Sequence, residues 1–185
     1  MEKGDAQDGC KGGRVLIRVY LDSNVYDELA KSPTLKNVVF RSTDEGVAEF
    51  YCCHITTDEL DGMGPGKAGL HDQLRKIAEE LPERAPSTPG VYGVGKYDET
   101  MYGDDVAAAI YDALRDKHGP KDAVHVATAS SVRCDYFVTQ ETTGGLLVDI
   151  NRLLLPMKAI NADQMSALLL SHMGQGSSEN PVPPT

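Results

Sequence analysis

Short apolar runs alternate along the chain with stretches whose apolar residues recur every three or four positions, the pattern of strands interleaved with helices. The first run, Val15-Leu16-Ile17-Arg18-Val19-Tyr20-Leu21, is apolar on both faces and predicts a buried parallel strand over about 14–21. Arg18 is the exception, a charge that a strand covered on both sides does not explain. The run stops at Asp22-Ser23-Asn24 and leads into a helix near 25–30. Leu35, Val38 and Val39 predict a second helix over 34–45. The aromatic and apolar stretch 48–55 reads as a second strand. In Thr56-Thr57-Asp58-Glu59-Leu60, Thr56 and Glu59 have the spacing of a capping box at a helix start.

Residues 61–69 read as a loop, and Leu70, Leu74, Ile77, Ala78 and Leu81 mark an amphipathic helix over 69–81. A connection containing Pro and Gly, 82–96, follows. Val106, Ile110 and Leu114 give the face of a helix over 104–117, closed by Lys117-His118-Gly119-Pro120: a basic last turn, a glycine stop and a proline. A helix rich in small residues runs from Asp122 to about 132. Tyr136-Phe137-Val138-Thr139 is a third strand, 157–160 a short final one, and a helix capped at Asn161 ends near His172. This order predicts an α/β domain over 14–172, a three-layer α/β/α sandwich on a mainly parallel sheet. A polar, glycine-rich segment (1–13) and a tail (173–185) of similar character are expected to be flexible.

A chain of 185 residues, 41% of them hydrophobic, can bury a core without disulfides or a structural metal. Cys10, Cys52, Cys53 and Cys134 lack metal-ligand spacing and read as free thiols in a reducing cytoplasm. No apolar run has the length of a membrane span, and the N-terminal residues lack a signal-peptide core, so a cytoplasmic protein without a membrane partner is expected. The net charge of −10 argues against a protein that coats nucleic acid. It leaves room for an enzyme that holds nucleic acid briefly.

The candidate chemistry lies at the strand ends. Asp22, Glu59 and Glu141 each follow the carboxyl end of a predicted strand, and those ends share one edge in a parallel sheet. A crossover helix begins at that same edge, which adds Asp122. Connectivity alone therefore brings four acids to one rim. Each has a local alternative, because Asp and Glu are favoured at turns and helix starts. Clustered carboxylates repel unless a cation compensates them, and hard oxygen donors suit Mg²⁺ or Mn²⁺. Gly66-Lys67 lacks the flanking residues of a phosphate-binding loop, and Gly93 and Gly95 lack the strand–helix frame of a dinucleotide site. His125, one turn after Asp122, reads as a packed helix residue.

Four stretches, in order, resemble the signatures of PIN-domain nucleases. Tyr20-Leu21-Asp22-Ser23-Asn24-Val25 is similar to a strand ending in Asp-(Ser/Thr)-Asn-Val. Ile55-Thr56-Thr57-Asp58-Glu59-Leu60 is similar to a Ser/Thr-rich turn before Glu-Leu. Lys121-Asp122-Ala123, with small residues behind it, resembles a helix opening on Asp-Ala, and Val138-Thr139-Gln140-Glu141 resembles a strand leading to Thr-x-Asp. The resemblance spans about 15–172. It implies a PIN-like fold and a metal-dependent endoribonuclease (a hydrolase) that leaves a 5′-phosphate. Asp22, Glu59, Asp122 and Glu141 would be its catalytic, metal-holding acids; Glu141 stands where the family has the shorter Asp. Asn24 would orient Asp22, with Thr139 and Ser23 as supporting hydroxyls. The implied partners are RNA and, as in toxin–antitoxin pairs, an antitoxin-like protein, with a homodimer common among relatives. Two rivals remain at this point: a nuclease-like fold with a lapsed site serving as a protein-interaction module, and an aspartate-nucleophile phosphatase, which requires an acid where this chain has Asn24.

Overall fold

The computed structural model describes residues 16–63, 68–87, 105–141 and 145–175. Its strands are β1 (Ile17–Leu21), β2 (Ala48–Cys52), β3 (Glu83–Arg84), β4 (Tyr136–Val138) and β5 (Lys158–Ile160). All are parallel, in the order β3-β2-β1-β4-β5, with Val19 opposite Phe50 on one side and Tyr136 on the other. The helices are α1 (Ser23–Lys31), α2 (Pro33–Asp44), α3 (His54–Asp61), α4 (Ala68–Glu80), α5 (Asp105–His118), α6 (Pro120–Ser131), α7 (Leu146–Arg152) and α8 (Ala162–Gln175).

The pleat sends alternate residues of each strand to opposite faces, and each face has its own core. Ile17, Val19 and Leu21 of β1 join Phe50 and Val138 against α1, α2, α4 and α8. Tyr20 and Phe137, stacked with ring centroids 5.6 Å apart, face the other way onto α5, α6 and α7. These two cores make the three-layer sandwich expected from the alternation of elements. Helix α3 borders both, giving Leu60 to the first and Ile55 to the second. No helix among the described residues is long and apolar enough to cross a membrane.

The strand order fixes where a ligand can sit. From β1 the chain builds outward through β2 and β3 on one side, then returns to build β4 and β5 on the other. The carboxyl ends of β1 and β4 therefore flank a topological switch point, the place where open α/β sheets take their ligands. Helices α5 and α6 bring the chain back as a hairpin. Gly119 between them has φ +89°, a conformation that a residue with a Cβ rarely adopts, and Pro120 starts α6 with its ring at a position needing no amide hydrogen. That turn sets the start of α6 at the sheet's carboxyl rim.

Several boundaries differ from the sequence expectation. The second strand stops at Cys52, and α3 starts at His54 with no side-chain cap, so Thr56 lies within the helix, fully buried. The expected capping box does not form, because the chain turns out of the extended conformation two residues before Thr56. The two-residue β3 and the two-turn α7 carry too little periodicity to stand out from their surroundings. Helix α8 runs three residues past the expected end, to Gln175. Arg18 is explained: it lies one residue into β1, with an exposed side chain 3.7 Å from Glu49, and its amide donates to Asp135 Oδ2 at 2.8 Å. Cys52, Cys53 and Cys134 are buried free thiols. The segment 1–13, the tail beyond 175, and the glycines at 66, 93 and 95 lie outside the described residues.

Candidate metal centre

Asp22 occupies the step from β1 into α1, with an extended backbone (φ −70°, ψ 153°). Its amide donates to the Val138 carbonyl at 3.0 Å, tying it to β4 as well. Its Oδ1 accepts from the Ser23 amide at 2.8 Å, so the local reading, a residue capping a turn, is true as far as it goes. Capping does not account for the other oxygen. Oδ2 accepts from Asn24 Nδ2 at 2.9 Å and from the Thr139 hydroxyl at 2.8 Å, the latter delivered from a different strand. The residue is only 4% exposed, and a carboxylate so covered must have its lone pairs occupied.

Asn24 and Thr139 are themselves held. Asn24 Oδ1 accepts from the Gln140 amide at 2.9 Å, and Thr139 Oγ1 accepts from the Glu141 amide at 3.1 Å. The ends of β1 and β4 are thus stitched together through side chains; the motif resemblance had Asn24 as the orienting residue and Thr139 as a supporting hydroxyl.

Glu59 comes from the last turn of α3. Its Oε2 lies 3.5 Å from His125 Nε2 and its Oε1 lies 3.7 Å from Lys121 Nζ. Burial pushes its carboxyl up, but the adjacent His125 ring, the Ser23 side chain and the Lys121 charge outweigh that and hold it below the usual carboxylate range. Ser23 therefore serves twice, its amide on Asp22 and its side chain beside Glu59.

Asp122 lies in the first turn of α6. Its carboxyl is pushed up to about 6, first by burial and then by the charges of Asp22 and Glu141, with a further contribution from Glu59; His125 opposes. Glu141 is half-buried just past β4, close enough for its charge to act on Asp122. All four expected acids therefore reach the same rim, but not equally. The tightest grouping is Asp22, Glu59 and His125, whose ligand atoms all lie within 4.8 Å of one another. Asp122 and Glu141 stand beside that group rather than in it.

His125 is the residue that sequence reading left out of the site. It is a packed helix residue as expected, with no exposed surface, and its ring meets Tyr20 edge-on. Nδ1 is 2.9 Å from the Tyr20 hydroxyl and 3.7 Å from Cys53 Sγ, while Nε2 turns to the carboxylates. Burial alone would lower its pKa; the Cys53 thiol on one side and the Glu59 and Asp22 carboxylates on the other hold it well above the usual imidazole range. The signal in the sequence was the Asp122–His125 spacing, which puts both residues on one helix face.

Three carboxylates surrounding a fourth, with Lys121 at the margin, leave an excess of negative charge in a partly buried place. Oxygen donors with one imidazole nitrogen are a chemically suitable set for a divalent cation. The chain matches no family model and no curated protein sequence.

Proposed function

We propose that this chain is a divalent-metal-dependent endoribonuclease of the PIN-domain kind. What most supports this reading is the arrival of Asp22, Glu59, Asp122 and Glu141, from four separate elements, at the β1/β4 switch edge, with Asp22 fixed by three hydrogen bonds. In this reading Asp22 holds the ion, with Glu59, Asp122 and Glu141 completing the acidic shell around it. Bound there, Mg²⁺ or Mn²⁺ would supply an activated water and neutralise charge on the phosphoryl group in an in-line displacement.

The chain's own residues do the remaining work. Asn24 and Thr139 keep the Asp22 carboxylate from reorienting, so no rearrangement of that group is needed on binding. Glu59, kept ionised by its neighbours, accepts a hydrogen from the attacking water and directs its lone pair at phosphorus. Lys121, with its side chain half-exposed beside Glu59, gives an otherwise acidic rim one positive group for an incoming phosphate.

Labelled single-stranded RNA incubated with Mn²⁺ tests the proposal. Cleavage is expected, and it should vanish with EDTA and in Asp22→Asn. Activity that survives both controls overturns the reading; absence of both cleavage and ion binding favours the interaction-module alternative, which the net charge of −10 also suits. The same resemblance extends the proposal to a toxin held by a protein partner, for which growth arrest on expression, relieved by Asp22→Asn, is the check.

A further inference from the structure

We propose that His125 supplies a nitrogen ligand to the cation at this rim, through Nε2, making the site selective for a first-row transition ion such as Mn²⁺ over Mg²⁺. The proposal rests on reading the rim as a metal site, but not on that site being a nuclease.

Two features of the imidazole carry it. First, Nε2 is fully buried and makes no hydrogen bond among the described residues. Its nearest acidic neighbour, Glu59 Oε2, is 3.5 Å away, too far for a good N–H···O bond. A buried ring nitrogen left in that state is costly unless something else takes its lone pair. Second, the opposite nitrogen is engaged. Nδ1 lies 2.9 Å from the buried Tyr20 hydroxyl and 3.7 Å from Cys53 Sγ. A cation entering here would displace the Nε2 proton that the neighbouring carboxylates favour; with the remaining proton on Nδ1, donated to Tyr20, the ring then presents an unshared pair at Nε2 toward Asp22 and Glu59. Ligating histidines are typically fixed in this way, one nitrogen held by a protein group and the other free to bind. Tyr20 is a positioning residue in this arrangement; it acts through His125.

The chemistry follows from the donor set. Mg²⁺ prefers oxygen and sheds water reluctantly, whereas transition ions accept an imidazole nitrogen, Mn²⁺ least among them and later ions more. The full chain loaded with Mn²⁺ and studied by pulsed electron paramagnetic resonance is the test. A nitrogen coupling of a directly bound imidazole is expected, changing in character when all histidines carry ¹⁵N. His125→Gln should abolish it and weaken Mn²⁺ binding by roughly tenfold or more while changing Mg²⁺ binding far less. Bound Mn²⁺ without nitrogen coupling in the wild-type chain overturns the proposal, whether or not the variant folds. So does a folded His125→Gln that binds Mn²⁺ as tightly as wild type. Failure of Mn²⁺ to bind at all overturns both this proposal and the nuclease reading. Nitrogen coupling without RNA cleavage overturns only the nuclease reading, and cleavage without coupling overturns only the ligand role of His125.

Discussion

Asp122 and Asp149 are both aspartates in the first turn of a helix, and the chain treats them in opposite ways. Asp149 is neutralised from within. Lys117 and His118, at the end of α5, both bond its Oδ2, Arg152 reaches Oδ1 at 3.3 Å, and hydrogen bonds from Lys117 and His118 draw its carboxyl down to about 2. Asp122 is buried among other carboxylates and pushed up to about 6. The first arrangement ties α5 to α7 and leaves nothing over. The second concentrates unbalanced charge at the sheet's topological switch point, and that imbalance is what a bound cation would relieve.

Breaking the rim at its centre should have the largest effect. Asp22→Asn removes a charge from the cation site, and cleavage of RNA in Mn²⁺ is expected to fall by more than the roughly 10–100-fold typical of residues that only support a ligand. Urea unfolding of the same variant without metal should show a loss of about 1–3 kcal/mol, because the amide keeps one acceptor oxygen and must turn its NH2 toward either the Ser23 amide or the Asn24 and Thr139 donors.

Thr139→Val comes next. It strips a donor from buried Asp22 and an acceptor from the Glu141 amide, so urea unfolding should show a loss of about 1–3 kcal/mol. A neutral result would mean that the two strand ends are held by backbone contacts alone.

The contrast itself is tested by neutralising each aspartate in the metal-free protein. Asp122 has a folded pKa above its unfolded value, so the native state loses stability as pH rises from about 4 to about 6. Asp122→Asn should therefore raise stability at pH 7 by on the order of 1 kcal/mol, after allowing for screening at a partly exposed group, or roughly 2–4 °C in melting temperature. No gain is expected at pH 4. Added Mn²⁺ should reverse the order, stabilising wild type more than the variant. Asp149 has the opposite sign: its folded pKa is depressed, so its contribution is present above about 4 and fades as pH falls toward 2. Asp149→Asn should lower the melting temperature at neutral pH, by less than Thr139→Val does, and leave it unchanged near pH 2. Two variants shifting in the same direction at pH 7 would erase the distinction.

The sheet and its rim were readable from local pattern because β1 is a nearly unbroken apolar run with a carboxylate at its end, and parallel connectivity does the rest. Asp22, Glu59, Asp122 and Glu141 could be assigned to one edge without any long-range contact being known. What local pattern could not give was geometry across elements. Thr56 and Glu59 matched a capping box, yet the helix start was decided by where β2 leaves the sheet, and Glu59 was thereby freed to face the site. His125 looked like core, and it is core; only the packing of α6 against β1 and α3 shows that one ring nitrogen is held by Tyr20 while the other meets Glu59. The inequality among the four acids is equally a tertiary fact, set by side-chain reach that spacing along the chain does not encode.

Diffraction from crystals soaked in Mn²⁺, with data collected at the manganese absorption edge, addresses the central point most directly. An anomalous peak is expected between the carboxylates of Asp22 and Glu59, within reach of Asp122 and facing His125 Nε2. Density for the four carboxylates without a peak there, at a Mn²⁺ concentration that saturates other known sites of this donor type, would contradict the assignment of the rim as a metal centre.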